Sequence, residues 1–231
     1  MTLLAQRRTG RRVLQGPFAG MQYVDNSIGS AYIPKLLGLY ERELSHCVEA
    51  IDAIHPEHII DIGAGEGYYA VGLALRNPAA RMTAFEMQLA GRTAIAELAR
   101  LNRVEEQVEI RGECTIAELN RALTGVSRPV VVCDVEGAEL QLLDPSAAPA
   151  LRDAAILVEL HEFVVRGITD EITKRFLDTH QIEHVWQEPR SRTEFPWRTL
   201  RTSLLPKSYL DWAVSEWRPE RMAWLWMRPK R

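Results

Sequence analysis

The fold is decided by the stretch Ile59-Ile60-Asp61-Ile62-Gly63-Ala64-Gly65-Glu66-Gly67-Tyr68-Tyr69-Ala70. Apolar residues lead into Asp61, glycines then occupy every second position from 63 to 67, and an apolar run with helical spacing follows. A buried strand that feeds a glycine-rich turn and a helix presents free backbone N–H groups, and glycine lets a ligand come close to the backbone. The stretch therefore predicts a ligand-binding turn between a strand and a helix.

The chain around this turn alternates between strand-like and helix-like segments. Strands are predicted at 59–62, 82–86, 107–111, 129–134, 155–160, 181–186 and 223–227. This alternation predicts an α/β fold with a doubly wound, mostly parallel, seven-stranded sheet. Upstream, an apolar stripe predicts one helix that begins near Pro34 and continues through Ile51. We expect residues 1–54 to form an N-terminal arm and helix, acting as a lid or a packing extension, and residues 55–231 to form the ligand-binding domain.

Composition and charge narrow the class of protein. The formal net charge is −3, and residues 190–231 carry ten Lys/Arg against four Asp/Glu, so a basic end follows an acidic body. No compact basic stripe is present, which argues against a nucleic-acid partner. No apolar run approaches the roughly 18 residues of a membrane span. Three widely spaced cysteines without a C-x-x-C pair argue against a zinc site and fit a reducing compartment. We expect a cytoplasmic protein without a membrane partner.

Acidic residues follow four of the first five predicted strands, where an open α/β sheet binds its ligand. The carboxylate of Glu86, at the end of the second strand, can accept both hydroxyls of a ribose. The glycine pattern is G-x-G-x-G, and Tyr68 occupies the place of the last glycine of the dinucleotide pattern G-x-G-x-x-G. A ligand with a ribose but no pyrophosphate fits this set, and an NAD-dependent dehydrogenase is a remote alternative.

Two motifs carry a resemblance to a known family. Asp61 to Gly67 is similar to the first motif of the Rossmann-like S-adenosylmethionine-dependent methyltransferases, and Cys133-Asp134-Val135-Glu136-Gly137-Ala138-Glu139 resembles the D-x-E-G-x-E stretch of their FkbM-like group. Together the motifs cover about residues 59–162, under half of the chain. Val132 stands where this group often has a lysine. The resemblance implies S-adenosylmethionine as the cofactor and methyl transfer as the reaction.

The resemblance also implies which residues hold the cofactor. The glycine turn would contact its methionine part, Glu86 its ribose, and Glu113 with Cys114 its adenine, while Asp134 and Glu136 would face the methyl-transfer site. The full set of expected cofactor-binding residues is Asp61, Gly63, Ala64, Gly65, Gly67, Tyr68, Glu86, Met87, Glu113, Cys114 and Asp134.

Methyl transfer to a hydroxyl needs the acceptor's proton removed or its charge stabilised. The candidate catalytic residues are His161, Asp134, Glu136 and Glu159. The ordinary pKa of histidine, about 6.5, suits a base near neutrality. A second interpretation places a divalent metal on Asp134, Glu159 and His161, a mixed carboxylate–imidazole set that suits a transition metal better than Mg²⁺. A third gives Glu159 and His161 only hydrogen bonds to the adjoining loop.

The acceptor is open at this point. The FkbM-like resemblance implies a hydroxyl of a sugar or glycosylated small molecule; the alternatives are an amine or carboxylate acceptor, and a catalytically silent nucleotide-binding scaffold. The segment Arg190–Arg198 is the expected acceptor-side loop. The Trp- and Arg-rich C-terminal part can stack on sugars or bind anions, and it can also form the interface of a homodimer.

Overall fold

The computed structural model describes residues 1–25, 27–197 and 199–230, with the backbone alone at 200 and 201. The helices are Thr2–Thr9 (α1), Tyr32–Leu37 (α2), Ser45–Ile54 (α3), Tyr68–Arg76 (α4), Leu89–Asn102 (α5), Ile116–Leu123 (α6), Glu139–Leu142 (α7), Ile168–Phe176 (α8), Leu200–Ser203 (α9) and Lys207–Val214 (α10). The strands are His58–Ile62 (β1), Arg81–Phe85 (β2), Val108–Arg111 (β3), Pro129–Cys133 (β4), Ala155–Leu160 (β5), His180–Trp186 (β6) and Ala223–Pro229 (β7).

The strands form one seven-stranded sheet in the order β3-β2-β1-β4-β5-β7-β6. The strands β1 to β5 pair in parallel, and β7 is antiparallel to both of its neighbours. The predicted α/β fold with a doubly wound, mostly parallel, seven-stranded sheet is therefore confirmed. The strand order reverses between β1 and β4, so their carboxyl ends border the crevice in which such sheets bind ligands.

The sheet is covered on both faces, which explains why its central strands are apolar without alternation. Ile59 and Val130 belong to the core on the face of α4 and α5, whereas Ile60 and Val131 belong to the core on the face of α6 and α8. Phe18 of the N-terminal arm is buried in the first of these cores. Within the described part of the chain, no helix combines the length and apolar character needed to cross a bilayer.

The single helix predicted from Pro34 to Ile51 is wrong, because the chain turns between α2 and α3. Gly38 ends α2 with φ 68°, and a Cβ there would overlap the backbone of Gln15 in the arm. Glu41 also has positive φ, 46°. The apolar stripe is real, but two short helices bury it. The division at residue 54 stays a prediction.

Candidate active site

The glycine turn lies between the carboxyl ends of β2 and β4. The N–H groups of Gly63 and Ala64 donate to the carbonyl of Phe85 at 2.9 and 3.0 Å. Gly63 has φ 84°, and a Cβ at this position would overlap the carbonyl oxygen of Asp134. Only glycine fits here, since both the conformation and the space exclude a side chain. The turn thus brings β1 against the end of β4.

Glu86 lies at the end of β2, as predicted, and its carboxylate is held by backbone donors. Its Oε2 accepts from Gly65 N at 2.9 Å and its Oε1 accepts from Gln88 N at 2.7 Å. A Cβ on Gly91 would come within 2.5 Å of the Glu86 side chain, so this glycine leaves room for the carboxylate under α5. The glycine turn and the β2 carboxylate therefore form one unit. Sequence reasoning missed Gly91.

A cavity of about 300 Å³ opens above these groups. Its lining includes the predicted cofactor residues Asp61, Gly63, Ala64, Gly65, Tyr68, Glu86, Met87, Glu113, Cys114 and Asp134. Gly67 is not among the lining residues; it precedes α4 with φ 95°, and a Cβ there would press on Ile95. Gly67 therefore packs against α5, and its predicted contact with the cofactor stays a prediction. The roles of the other residues stay predictions.

The N-terminal arm contributes a wall of this cavity. Ile28, Gly29 and Ser30 are lining residues. The arm is fastened to the glycine turn by Glu66, which is 1% exposed and bonded to the ammonium of Lys35. Glu66 also accepts from the hydroxyls of Ser27 (2.8 Å) and Tyr23 and from Ile28 N (2.9 Å). Burial opposes the charge of Glu66, but Lys35 outweighs it and lowers the pKa of the carboxyl group.

At the ends of β4 and β5 the structure brings together His161, Asp134 and Glu159. One ligand atom from each lies within 4.8 Å of the other two, so the geometry for the predicted metal set is present. His161 Nδ1 lies 2.6 Å from Glu139 Oε1, and His161 Nε2 lies 3.6 Å from Asp134 Oδ1. Because the carboxylate accepts at Nδ1, the neutral imidazole has a free Nε2 that can accept a proton.

Glu139 is the site residue that sequence reasoning left without a role. It is completely buried, and its Oε1 accepts from both His161 and Gly137 N. Burial disfavours the imidazolium, but the hydrogen bond to Glu139 and the charge of Asp134 outweigh it and raise the pKa of His161. The sequence signal that could have identified Glu139 is its place as the last acidic residue of the D-x-E-G-x-E stretch. Glu136, the middle one, is exposed and lines the cavity.

Several carboxylates of the site are buried close together, and this raises their pKa values. Burial and the nearby charge of Asp134 raise the pKa of Asp61 to about 7. Burial and the charge of Glu41 raise the pKa of Asp134 to about 6. The pKa of Glu159 is raised well above the ordinary value for glutamate, chiefly by burial and next by the charge of Asp134. A cation in the cavity would relieve this repulsion.

Arg218 reaches the site from the C-terminal segment. Its guanidinium forms ion pairs with the carboxylates of Glu41 and Glu159, and the pair with Glu159 measures 2.5 Å. The guanidinium also donates to the hydroxyl of Tyr40 at 3.1 Å. Arg218 thus joins the arm to the end of β5. No local pattern marks Arg218 or Glu41, since the contact between them spans 177 positions of sequence.

The described residues of the expected acceptor-side loop are not among the lining residues of the first cavity. The guanidinium of Arg190 is buried and lies 2.5 Å from both Glu43 and Glu216. Arg192 pairs with Asp211 on α10 at 2.9 Å. These contacts hold Arg190 and Arg192 against the body of the protein, and the role of the loop in binding the acceptor stays a prediction. Arg198 lies outside the described residues.

A second cavity, of about 350 Å³, adjoins the first. Six residues line both: Gly29, Ser30, Tyr40, Glu136, His161 and Arg218. The second cavity adds the apolar side chains of Phe163, Val164, Trp217, Pro219 and Met222, and the carboxylate of Glu216. His161 therefore stands where two chambers meet, one at the glycine turn and one at the C-terminal segment.

The residues of the first cavity fit S-adenosylmethionine, whose sulfonium carries a positive charge. Asp61 is 3% exposed and its Oδ2 has no hydrogen-bond partner. The two cations that line the cavity, Lys35 and Arg218, are already paired with carboxylates. The excess of carboxylate over cationic groups favours a cationic ligand.

No protein-family model matches this chain, and no curated protein matches it in sequence. Solved structures match it in fold. The precorrin-6y C5,15-methyltransferase of Geobacter metallireducens is 11% identical, with a TM-score of 0.50 over 79% of this chain and 87% of that one. An O-methyltransferase of Bacillus cereus, solved in complex with SAH, is 10% identical, with a TM-score of 0.50 over 79% of each chain. The chain therefore has the Rossmann-like fold of S-adenosylmethionine-dependent methyltransferases.

Proposed function

We propose that the protein is an S-adenosylmethionine-dependent methyltransferase that methylates a hydroxyl group of a sugar or of a glycosylated small molecule. The observation that carries the proposal is the position of His161, which lines both cavities and whose Nδ1 is bonded to buried Glu139. The D-x-E-G-x-E stretch supports placement in the FkbM-like group, since it supplies both Asp134 and Glu139.

When bound, S-adenosylmethionine supplies a methyl group already activated on a sulfonium. The glycine turn and Glu86 would hold it in the first cavity, and Asp134 would lie near the methyl group. His161 Nε2 would take the proton of the acceptor hydroxyl as the oxygen–carbon bond forms and the carbon–sulfur bond breaks. Glu139 holds the imidazole in the required tautomer and stabilises the imidazolium that forms. Solvent then takes the proton from His161.

The alternative functions differ from the proposed one in the charge of the acceptor or in whether the protein turns over the cofactor. An anionic carboxylate acceptor is disfavoured, because the carboxylates of Glu136 and Glu216 already line the second cavity. An amine acceptor would share the cofactor site and the base. A silent scaffold would bind the cofactor without producing S-adenosylhomocysteine.

Calorimetry tests the cofactor. We expect heat of binding with S-adenosylmethionine and with S-adenosylhomocysteine but none with NAD. Gly65→Val should abolish both signals, because Gly65 has φ 56° and its N–H donates to Glu86. Absent heat with both sulfur ligands on the wild-type protein would remove the central claim.

Formation of S-adenosylhomocysteine from a panel of monosaccharides and aryl glycosides tests the chemistry. We expect His161→Ala to lower turnover ~10²-fold or more, the size of a lost general base, with cofactor affinity changed by a few-fold at most. His184→Ala is the matched control, because His184 is exposed on β6 and lines neither described cavity. Equal turnover in the two variants would contradict the role of His161 as the base and leave it a structural role.

A further inference from the structure

The second cavity is lined by two chemically different sets of residues. Phe163, Val164, Trp217, Pro219 and Met222 supply apolar surface, while Glu136, Glu216, His161 and Arg218 supply polar groups. A saccharide ring likewise combines C–H groups on its faces with hydroxyls around its edge. The volume of about 350 Å³ lies within the range of small-molecule sites. The lining thus offers surface for the faces of such a ring and hydrogen-bond partners for its hydroxyls.

Trp217 is held in place by its two neighbours in sequence. The carboxylate of Glu216 is bonded to Arg190 and accepts from Glu41 N at 3.2 Å, and Arg218 is paired with Glu159. Trp217 itself has φ 60°, a conformation unusual for a bulky residue, and is 58% exposed. Buried ion pairs on both sides therefore present this indole ring to solvent at the mouth of the cavity. Such a ring contributes little to the core and is available to a ligand.

The aromatic surface continues beyond the cavity along α10. The ring centroids of Trp217 and Trp212 lie 5.3 Å apart, and Tyr209 stacks on Trp212 at 5.8 Å with an interplanar angle of 5°. Trp212 is 45% exposed and Tyr209 is 41% exposed. We call these three residues the aromatic row. Each step along the row is close to the length of one pyranose ring.

The surroundings of the row favour a carbohydrate over a protein surface. The cores of protein interfaces are depleted in charged residues. Asp211, which precedes Trp212 on α10, forms an ion pair with Arg192, and both side chains of the pair are more than 40% exposed. A narrow row of aromatic rings bordered by charged groups suits a ligand that presents apolar faces and hydroxyl edges in alternation.

We propose that the acceptor is an extended saccharide or glycoside. Its reacting ring lies in the second cavity between Trp217 and His161, and one or two further rings lie on Trp212 and Tyr209. This inference rests on the proposed function and specifies its acceptor. It makes the aromatic row a binding surface that selects for the length of the acceptor.

The test uses ¹⁹F NMR of the full chain labelled with 5-fluorotryptophan, with each resonance assigned by a Trp→Phe variant. Trp224 lines the first cavity and reports cofactor binding, Trp217 reports the second cavity, and Trp212 reports the row. The exposed Trp186, on β6 beneath Arg221, is the internal control. The probes are S-adenosylhomocysteine and a panel of methyl pyranosides (gluco, galacto, manno and rhamno) with the matching di- and trisaccharides.

We expect S-adenosylhomocysteine to shift Trp224. At least one trisaccharide should shift Trp217 and Trp212 but not Trp186, and should bind about tenfold more tightly than its monosaccharide, which corresponds to a contact of about 1.4 kcal/mol. Trp212→Ala should remove this tenfold advantage, while Trp186→Ala should keep it. A Trp224 response in each variant verifies that the variant is folded.

The contrary results separate the two claims. A Trp224 response without any saccharide response at Trp217 and Trp212 overturns the aromatic row as a binding surface and leaves the cofactor assignment standing. No response of Trp224 to S-adenosylhomocysteine overturns the proposed function, and with it this inference. Row resonances that move on dilution of the protein alone show that a second copy of the chain covers the row, which also overturns the inference.

Discussion

The pairing of Glu139 with His161 makes a quantitative prediction for Glu139→Gln. Glutamine keeps the shape of the side chain and can still accept from His161 Nδ1, but it removes a fully buried negative charge 2.6 Å from the imidazole. Hydrogen bonds to charged groups contribute about 1.5–3 kcal/mol. One pKa unit corresponds to about 1.36 kcal/mol, so the pKa of His161 should fall by about one to two units.

The measurement is a ¹H–¹³C titration of the Cε1 resonances of the six histidines, with His161 assigned by its absence in His161→Gln. In the wild type we expect His161 to titrate above the usual value of about 6.5, because Glu139 and Asp134 raise its pKa. A base acts only when it is neutral, so turnover should rise with pH through this pKa. In Glu139→Gln the acid limb should move to lower pH by the same interval, and plateau turnover should fall because the base is weaker.

Glu136→Gln is the matched control. Glu136 also belongs to the D-x-E-G-x-E stretch and lines both cavities, but it is exposed, so solvent screens its effect on the imidazole. Its replacement should shift the titration of His161 much less. The reasoning would be refuted by a titration of His161 that is the same in wild type and Glu139→Gln, or by a wild-type pKa below that of free histidine.

Three further predictions concern the turn, the cofactor's charge and the metal. Gly63→Ala should lower the free energy of unfolding by about 3 kcal/mol or more, because the new Cβ overlaps the carbonyl oxygen of Asp134. The control Gly125→Ala should lower it by about 1 kcal/mol, since Gly125 has φ 73° but open space around its Cβ. Equal midpoints of urea unfolding for the two variants would contradict this. Affinity for S-adenosylmethionine should rise from pH 5.5 to 8, because the carboxyls of Asp134 (pKa about 6) and Asp61 (pKa about 7) ionise in this range. Affinity for S-adenosylhomocysteine, whose sulfur is uncharged, should change less. Calorimetric affinities of the two ligands that change in parallel with pH would contradict this. Turnover should be unchanged by EDTA, because the carboxylate of Glu159 on β5 is already paired with the guanidinium of Arg218. Loss of turnover on chelation, with recovery when a divalent metal is added, would establish a metal centre.

The parts of the molecule that local sequence determines were predictable. The glycine turn, the carboxylate of Glu86 and the apolar strands follow from spacing and residue type within short segments, and the sheet follows from their alternation. His161 could be named because it directly follows a strand. These predictions depend on contacts between neighbours in sequence or on the common edge of a parallel sheet.

The rest of the site depends on contacts between distant segments. Glu41 follows a break in a stretch that has continuous helical periodicity, and the cause of that break, the backbone of Gln15 against Gly38, belongs to another part of the chain. Arg218 lies in a segment without a pattern, and its partner Glu159 is 59 positions away. The buried carboxylates around Arg190 could not be predicted for the same reason. A basic residue in a loop gives no sign of the buried carboxylates that will surround it.

Glu66 has a consequence for how this sequence can diverge. It occupies the fourth, non-glycine place of the G-A-G-E-G turn, and its carboxylate is bonded to Lys35, Ser27 and Tyr23. Loss of one member of a buried ion pair costs about 3–5 kcal/mol, so a single substitution at either position should be strongly selected against. In homologous chains the residues at 35 and 66 should therefore change together. Covariation of these positions would identify the relatives that keep this arm over the cavity.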